Sequence, residues 1–267
     1  PAVAPTASPA VDTAPRTQLP TPTPTVSPSP SAATSTASPS SQTSAPTSSP
    51  TLQPGCRSPL ADVAFLIEST VPSAAAIDAI QDAVRGITAD FAVASDVARI
   101  SLVGFASTAQ LFVDFNDGVN HNAVNVGILQ LRHIAGSTNV AGALSFVRDI
   151  VYNVTSGSRN DTSVSRVLVV LLANRSDHAI NTATQAAQLH ADGVQVIAVG
   201  VGNRVNTTEL QVLGNGVANT FTVGSFDTLA GTVPAVATAV ARSSGVVCPP
   251  PAPTQFSPTP QPGCRSP

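Results

Sequence analysis

From residue 61 onward, short runs of apolar residues alternate with longer segments in which apolar residues recur every three or four positions. Uninterrupted apolar runs are typical of parallel strands that are buried on both faces, and the longer spacing is typical of helices with one apolar face. The runs predict six strands, over residues 62–68, 99–105, 110–115, 167–172, 194–199 and 220–223. The spacing predicts helices over 77–91, 122–134, 139–152 and 180–191, a short helix from 207 and a last helix over 226–242.

The connections between these elements predict the topology of the sheet. A short turn at Ser107-Thr108 separates the second and third strands. That turn is too short for a crossover, so this pair should be antiparallel, whereas strands joined through a helix should be parallel. The pattern therefore predicts a doubly wound, Rossmann-like α/β fold, with a mostly parallel six-stranded sheet and one antiparallel edge strand. Ligands of such sheets bind beyond the carboxyl ends of the strands.

Residues 1–54 have a different composition. They contain 13 proline and 22 serine or threonine residues, and only Asp12 and Arg16 are charged. Such a segment lacks the aromatic and branched side chains that offset the entropy lost on folding. A proline-containing, Ser/Thr-rich sequence is typical of an O-glycosylated, mucin-like stalk. An unmodified flexible linker is the alternative, and either would act as a spacer.

A repeated heptapeptide indicates a modular parent chain. The sequence Gln53–Pro59 recurs without change as Gln261–Pro267. Because a folded domain follows the first copy, the second copy resembles the start of another such domain in a tandem array. We therefore expect four parts: a disordered linker over 1–54, a folded domain over 55–248, a proline-rich linker over 249–262 and a truncated next repeat over 263–267.

The charge of the chain excludes one class of function. There are 12 arginines, no lysine and 15 acidic residues, which give a net charge of -3. A nucleic-acid-binding protein needs a basic face to displace counterions, so we expect no nucleic-acid partner. No run approaches the roughly 20 apolar residues of a membrane-spanning helix.

Cysteines and glycosylation sequons indicate a secreted protein. Cys56 and Cys248 flank the predicted domain and could form a disulfide, while Cys264 would pair with a cysteine beyond residue 267. Three reduced thiols in a cytosolic protein are the alternative. Four sequons favour an oxidising, extracellular setting. They begin at Asn153, Asn160, Asn174 and Asn206.

Several segments, in the expected order, resemble a von Willebrand factor type A domain. Cys56–Phe65 resembles the domain entry of matrilins and of the A domains of collagen VI, and Arg99–Ala106 resembles the second strand of the family. Gly136–Leu144 resembles the loop that opens the next helix, and Val194–Gly202, with Asn206–Leu210 after it, resembles the fifth strand and its exit. The resemblance extends over roughly residues 60–244. It implies protein–protein contact as the function.

The resemblance also implies a site for a divalent cation, but the ligands are incomplete. The family's Asp-x-Ser-x-Ser motif aligns with Glu68, Thr70 and Pro72, its second-loop threonine with Thr138, and its acid after the fourth strand with Ala173. One carboxylate and two hydroxyls remain, whereas Mg²⁺ requires a full oxygen shell. Asp177 or Asp90 could replace the missing acid, but nothing in the sequence places them there. We therefore expect a degenerate site and no metal cofactor.

Other chemistry-bearing residues predict no active site. Ser69 follows a strand, but no histidine and acid are placed to activate it. The histidines lie in separate predicted elements without metal-ligand spacing, at positions 121, 133, 178 and 190. We therefore expect no enzyme. The sequon at Asn174 lies on the loop that would face the ion, and we expect a glycan there that covers the top of the sheet. An unused sequon is the alternative.

Together these features predict a secreted, non-catalytic extracellular matrix or adhesion module. Its expected partners are collagens or other matrix proteins, along with further A domains of the same parent chain, and its contacts would not depend on metal. Two alternatives remain. One is a Mg²⁺-dependent adhesion receptor in which Glu68, Thr70 and Thr138 still hold the ion, and the other is a passive structural spacer.

Overall fold

The structure is a computed structural model that describes residues 60–89 and 91–245. The predicted stalk over 1–54, the heptapeptide repeats, both linkers, the three cysteines and Asp90 lie outside the described residues.

Six strands form one sheet in the order β3-β2-β1-β4-β5-β6. All neighbouring strands are parallel except β2 and β3, which are antiparallel, so β3 is an antiparallel edge strand. The predicted fold class is confirmed. The strands are β1 Ala61–Glu68, β2 Ala98–Phe105, β3 Ala109–Val113, β4 Ser165–Leu172, β5 Val194–Val201 and β6 Thr220–Val223.

Helices cover both faces of the sheet. They are α1 Ala74–Ala89, α2 His121–Ile128, α3 Val140–Phe146, α4 Ala179–Ala191, α5 Thr207–Leu213 and α6 Val233–Ser243. A π-helical turn over Val147–Val151 continues α3, and a 3-10 helix over Phe226–Thr232 precedes α6. In the part of the chain that the structure describes, no helix is long and apolar enough to cross a membrane.

Alternate side chains of β1 belong to two separate apolar cores. Val63, Phe65 and Ile67 pack with residues of α1 and α6 on one face. Ala64 and Leu66 pack with residues of α3 and α4 on the other face. Every residue of β1 is buried, as expected for a central parallel strand that is covered on both faces. This burial fixes both ends of β1, where the strand carries its only two acidic residues.

At its amino end, β1 carries Asp62, which is fully buried and paired with Arg159. Arg159 donates from Nε to Asp62 Oδ1 at 2.9 Å, and its backbone N–H donates to Asp62 Oδ2 at 2.7 Å. Its Nη2 also donates to the carbonyl oxygens of Ala61 and Val97. The guanidinium thus attaches the segment before β4 to the bottom of the sheet.

Two predicted helices differ from the structure at one end. The helix predicted over 122–134 ends at Ile128, because the chain then turns. The N–H of Ile134 donates to the carbonyl of Ser69, and Gln81 donates to the carbonyl of Leu131. These contacts satisfy backbone groups that a longer helix would have used, while Leu131 keeps its apolar side chain buried.

The helix predicted from 226 begins its α-helical part only at Val233. Pro234 occupies the first turn of α6, where proline is tolerated. Farther inside a continuous helix its ring would clash with the carbonyl of the residue four positions earlier. The preceding seven residues therefore form the tighter 3-10 helix.

Candidate functional site

The candidate site lies at the carboxyl ends of β1 and β4. Glu68 is the last residue of β1, and its side chain is 0% exposed. Ala173 and Asn174 directly follow β4, and Thr138 lies just before α3. The structure therefore brings together residues that are up to 106 positions apart in the chain.

A glycine holds the loop before α3 against the turn between β2 and β3. Gly136 has a φ of +155°, and a Cβ atom there would lie 2.7 Å from Ser107 Oγ. The N–H of Ser137 donates to that same oxygen, and Asn139 donates from Nδ2 to the carbonyl of Ser107. Asn139 also caps α3. The loop is thus fixed where Thr138 reaches Glu68.

Five protein donors satisfy the Glu68 carboxylate. Oε1 accepts from the Thr70 hydroxyl, from Thr138 Oγ1 at 3.0 Å and from Asn174 Nδ2 at 2.6 Å. Oε2 accepts from the backbone N–H groups of Ala173 at 2.7 Å and Asn174 at 3.0 Å. A carboxylate offers about four lone-pair positions, so this one is saturated.

Asn174 is the residue that the sequence did not indicate as part of this site. Its Nδ2 donates both to Glu68 Oε1 and to the Thr70 carbonyl, the latter at 3.3 Å. The side-chain amide thus supplies a donor to the same carboxylate that, by the alignment, would bind the cation. In the sequence Asn174 stands out only as a sequon, because the family's acid after the fourth strand aligns with its neighbour Ala173.

The residues present do not fit a divalent cation. The hydroxyls of Thr70 and Thr138 both donate their hydrogens toward Glu68, and their oxygens lie 3.3 Å apart. Pro72 is exposed and has no side-chain oxygen. Within residues 60–89 and 91–245, no three His, Cys, Asp or Glu side chains are grouped to hold a metal ion. A six-oxygen shell of the kind Mg²⁺ demands is not available.

Asp177 does not take the place of the missing acid. Its side chain is exposed and makes no hydrogen bond with Glu68. Its backbone N–H donates to the carbonyl of Thr138 at 3.1 Å. The other proposed substitute, Asp90, lies outside the described residues.

A polar cleft of about 730 Å³ opens above the carboxylate. Its lining includes Thr70, Ser137, Thr138, Asn174, Arg175, Asp177, Arg204, Asn206 and Glu209. Glu209 is only 7% exposed, and its Oε2 accepts from the backbone N–H of Ser176 at 3.1 Å. No motif in the sequence marked Glu209 as part of the site. The available signal was its place three residues after the helix cap Asn206, where a glutamate often forms a capping box.

The four sequon asparagines differ in their surroundings. Asn153, Asn160 and Asn206 are exposed, whereas Asn174 is half-buried. A sugar is attached to the side-chain nitrogen, and in Asn174 that nitrogen donates to Glu68 and Thr70. The geometry therefore opposes the predicted glycan at Asn174.

The histidines and Ser69 lie apart from one another. His121 begins α2, with Nε2 3.0 Å from the Phe91 carbonyl, and His178 directly precedes α4 without a capping hydrogen bond from its side chain. His190 lies in the last turn of α4, and His133 is exposed. Ser69 is buried, and its Oγ has no hydrogen-bond partner among the described residues. The structure thus gives this hydroxyl no base.

A family model identifies the fold. The model of the von Willebrand factor type A domain matches residues 62–235. The chain belongs to this family. The match lies inside the domain predicted over 55–248 and confirms the resemblance inferred from the sequence.

Curated relatives of this A domain are collagen VI chains. The chain is 27% identical over 148 residues to the collagen alpha-5(VI) chain of Mus musculus, covering 55% of this chain and 6% of that protein. It is 27% identical over 175 residues to the collagen alpha-6(VI) chain of Homo sapiens, covering 65% of this chain and 8% of that protein. The chain thus spans less than a tenth of these relatives.

Solved structures share the fold. Two crystal structures of proximal thread matrix protein 1 from the mussel byssus superpose with TM-scores of 0.63 and 0.62 at 19% and 20% identity. They cover 67% and 69% of this chain, and 47% of that chain in each case. The second is described as having a zinc-occupied MIDAS motif. The fold therefore occurs with a metal in that protein, whereas the residues of this A domain do not fit one.

Proposed function

We propose that this A domain is an extracellular matrix module that contacts other proteins without catalysis and without a bound metal ion. The observation that carries the proposal is the saturated carboxylate of Glu68. A cation would have to displace Asn174 Nδ2 and reorient two threonine hydroxyls before it reached an oxygen. After this rearrangement the cation would have a single carboxylate ligand, that of Glu68.

The relatives and the sequons support the extracellular setting. Collagens are matrix proteins, and the A domain shares about a quarter of its residues with two collagen VI chains. Three of its four sequon asparagines are exposed, as glycan acceptors must be. Collagens and other matrix proteins are therefore the partners we propose.

Exposed apolar side chains on the helices provide surface for such contacts. Val126 and Leu129, at the end of α2, are 52% and 65% exposed, and Ile180 at the start of α4 is 84% exposed. Val126 and Leu129 are three positions apart and so share one face of the helix end, and a group of exposed apolar side chains is typical of a contact surface. The proposed contacts use these outer faces of the helices and the sheet edge.

The absence of catalysis is supported by the surroundings of Ser69. A serine nucleophile needs an adjacent base that accepts its proton. Ser69 is buried, and its hydroxyl has no partner among the described residues. Of the polar side chains that line the cleft, those of Thr70, Thr138 and Asn174 are already bonded to Glu68.

A solid-phase binding assay tests the proposal. The full chain is applied to immobilised collagens and to whole matrix extract, once with EDTA and once with Mg²⁺. We expect saturable binding of equal strength in both buffers. Binding that EDTA abolishes and Mg²⁺ restores would establish the metal-dependent receptor instead. No binding to any surface would establish the passive spacer.

A further inference from the structure

Two sequons meet at the same cleft. Asn174-Arg175-Ser176 follows β4, and Asn206-Thr207-Thr208 begins α5. Both asparagines line the cleft of about 730 Å³ above Glu68. The two sequons are distant in sequence but open onto the same cleft, so the surroundings of their asparagines can be compared directly.

Both hydrogens of Asn174 Nδ2 are engaged in hydrogen bonds in the folded protein. One hydrogen of Nδ2 is directed at Glu68 Oε1, 2.6 Å away, and the second lies toward the Thr70 carbonyl oxygen at 3.3 Å. A sugar would replace one of these hydrogens and so remove the hydrogen bond to Glu68 or the one to Thr70. The hydroxyl of Ser176 is also buried, 2.7 Å from Thr182 Oγ1.

Asn206 has the opposite arrangement. Its side chain is exposed, and its Oδ1 accepts from the N–H groups of Thr208 and Glu209 as the cap of α5. Its Nδ2 makes no hydrogen bond with any described residue. Because the sugar bonds to nitrogen and the cap uses oxygen, the cap and a glycan are compatible. Thr208, which completes the sequon, is exposed as well.

The attachment is an ordinary group transfer. The donor is a lipid pyrophosphate-linked oligosaccharide. The bond between sugar C1 and the phosphate oxygen breaks, a bond between C1 and Nδ2 forms, and the proton lost by the amide leaves with the lipid pyrophosphate. No oxidation or reduction occurs. Attachment of the sugar precedes folding. Chains that carry a sugar on Asn174 cannot form its hydrogen bonds around Glu68, so they are excluded from the folded protein.

We infer that the folded, secreted protein carries an N-linked oligosaccharide on Asn206 and leaves Asn174 unmodified. The inference rests on the proposed extracellular setting. A glycan on Asn206 stands at the rim of the cleft and keeps a protein partner out of it. Partner contact is then restricted to faces away from the top of the sheet, which adds a location to the proposed metal-independent function.

Glycopeptide mapping tests the inference. The full chain is secreted from eukaryotic cells behind an added leader peptide, and the folded fraction is mapped by mass spectrometry before and after glycosidase treatment. We expect sugar on the Asn206 peptide and none on the Asn174 peptide. Sugar on Asn174 in folded material, or a bare Asn206, would overturn the inference.

Variants provide a second readout that does not require the mapping of intact glycans. Thr208→Ala removes the Asn206 sequon but keeps the cap, and should lower the mass of the secreted protein by one oligosaccharide. Asn174→Gln should leave the number of oligosaccharides unchanged, and its loss of one would contradict the inference. This pattern is independent of the binding assay, so the inference can fail while the proposed function stands, or the reverse.

Discussion

Asp62 and Glu68 lie at opposite ends of β1, and both are fully buried. Asp62 is neutralised by the guanidinium of Arg159, whereas the five donors to Glu68 are neutral amides and hydroxyls. Buried charges in proteins are normally paired or bound to metals. Glu68 instead depends on the number of its hydrogen bonds. Among the hydrogen bonds that Glu68 accepts from nitrogen donors, the one from Asn174 Nδ2 is the shortest.

Removal of the Asn174 amide should therefore destabilise the fold. In Asn174→Ala the backbone N–H still reaches Glu68 Oε2, but Oε1 loses a donor within the protein. We expect a loss of about 1–3 kcal/mol in the free energy of unfolding, since a hydrogen bond to a buried carboxylate is lost. Urea denaturation measures it.

Asn181→Ala is the matched control for that variant. Asn181 is exposed on α4 and makes no side-chain hydrogen bond with any described residue. Its replacement should change the free energy of unfolding by less than about 0.5 kcal/mol. Equal effects of the two substitutions would show that the Asn174 amide does not stabilise the site.

Alignment of motifs identified Glu68, Thr70 and Thr138 because their residue types survive at the expected positions. It could not identify Asn174. Whether Ala173 or Asn174 faces Glu68 depends on how the backbone turns after β4, and in the structure Ala173 contributes only its N–H. Glu209 was missed for a similar reason, since its partner Ser176 lies in a different loop.

At the scale of the elements, α2 packs against β3 through a glycine. A Cβ atom on Gly127 would lie 2.0 Å from Val113 Cγ2. Alanine favours a helix over glycine by about 1 kcal/mol. The clash should nevertheless dominate, because overpacking in a filled core costs about 1–3 kcal/mol or more. We expect Gly127→Ala to lower the urea midpoint.

Gly224→Ala is the control for the packing of α2. No atom lies within 4 Å of a Cβ atom at Gly224, and the residue is exposed. Its replacement should leave the midpoint nearly unchanged. A stabilising effect of Gly127→Ala would mean that α2 lies farther from β3 than in the structure.

The buried pair at the other end of β1 should be more sensitive still. Arg159→Leu leaves Asp62 buried without its cation, and the loss of one partner of a buried pair costs about 3–5 kcal/mol. The control is Arg85→Leu, because Arg85 pairs with Asp82 at the surface and such pairs contribute about 0–1 kcal/mol. Comparable losses in chemical denaturation of the two variants would contradict the assignment.

The order of the elements could be predicted from the sequence, whereas two helix ends could not. The runs of β1, β4 and β5 are apolar over most of their length, and buried parallel strands have that pattern. Leu131 and Ile134 continue the helical spacing of α2, yet they belong to a loop that is held by Gln81 and Ser69. Those partners are 50 or more residues away in sequence, and local periodicity carries no information about them.

At the scale of the whole molecule, the single tyrosine reports on unfolding in alkali. Tyr152 is the only tyrosine of the chain, and its hydroxyl donates to the Val167 carbonyl at 2.7 Å. Burial raises its pKa well above 10. The pKa of the hydroxyl is higher in the folded than in the unfolded protein. Below about pH 10 the hydroxyl is protonated in both states and does not change stability. Above that pH the unfolded protein loses the proton more readily, so stability falls as the pH rises.

We therefore expect tyrosinate absorbance to develop only together with loss of the far-ultraviolet circular dichroism signal. Tyr152→Phe should weaken the dependence of stability on pH in that range. Tyrosinate absorbance that develops near pH 10 while the circular dichroism signal of the fold persists would contradict the raised pKa of the Tyr152 hydroxyl.

A variant with a second carboxylate provides the positive control for metal binding. Asn174→Asp places an acid beside Glu68 Oε1, where like charges repel unless a proton or a cation lies between them. We expect this variant to be less stable than the wild-type protein in EDTA and to regain stability in Mg²⁺. The change in stability of this variant gives the size of the effect that a bound Mg²⁺ ion has on this domain.

The most direct test is the thermal unfolding of the wild-type chain in EDTA and across a Mg²⁺ titration to millimolar concentration. A ligand present at a hundred times its Kd would stabilise the fold by about 2.7 kcal/mol. Because the five donors saturate Glu68, we predict the same Tm at every Mg²⁺ concentration. A saturable rise in the Tm of the wild-type protein, abolished by Glu68→Gln, would contradict it.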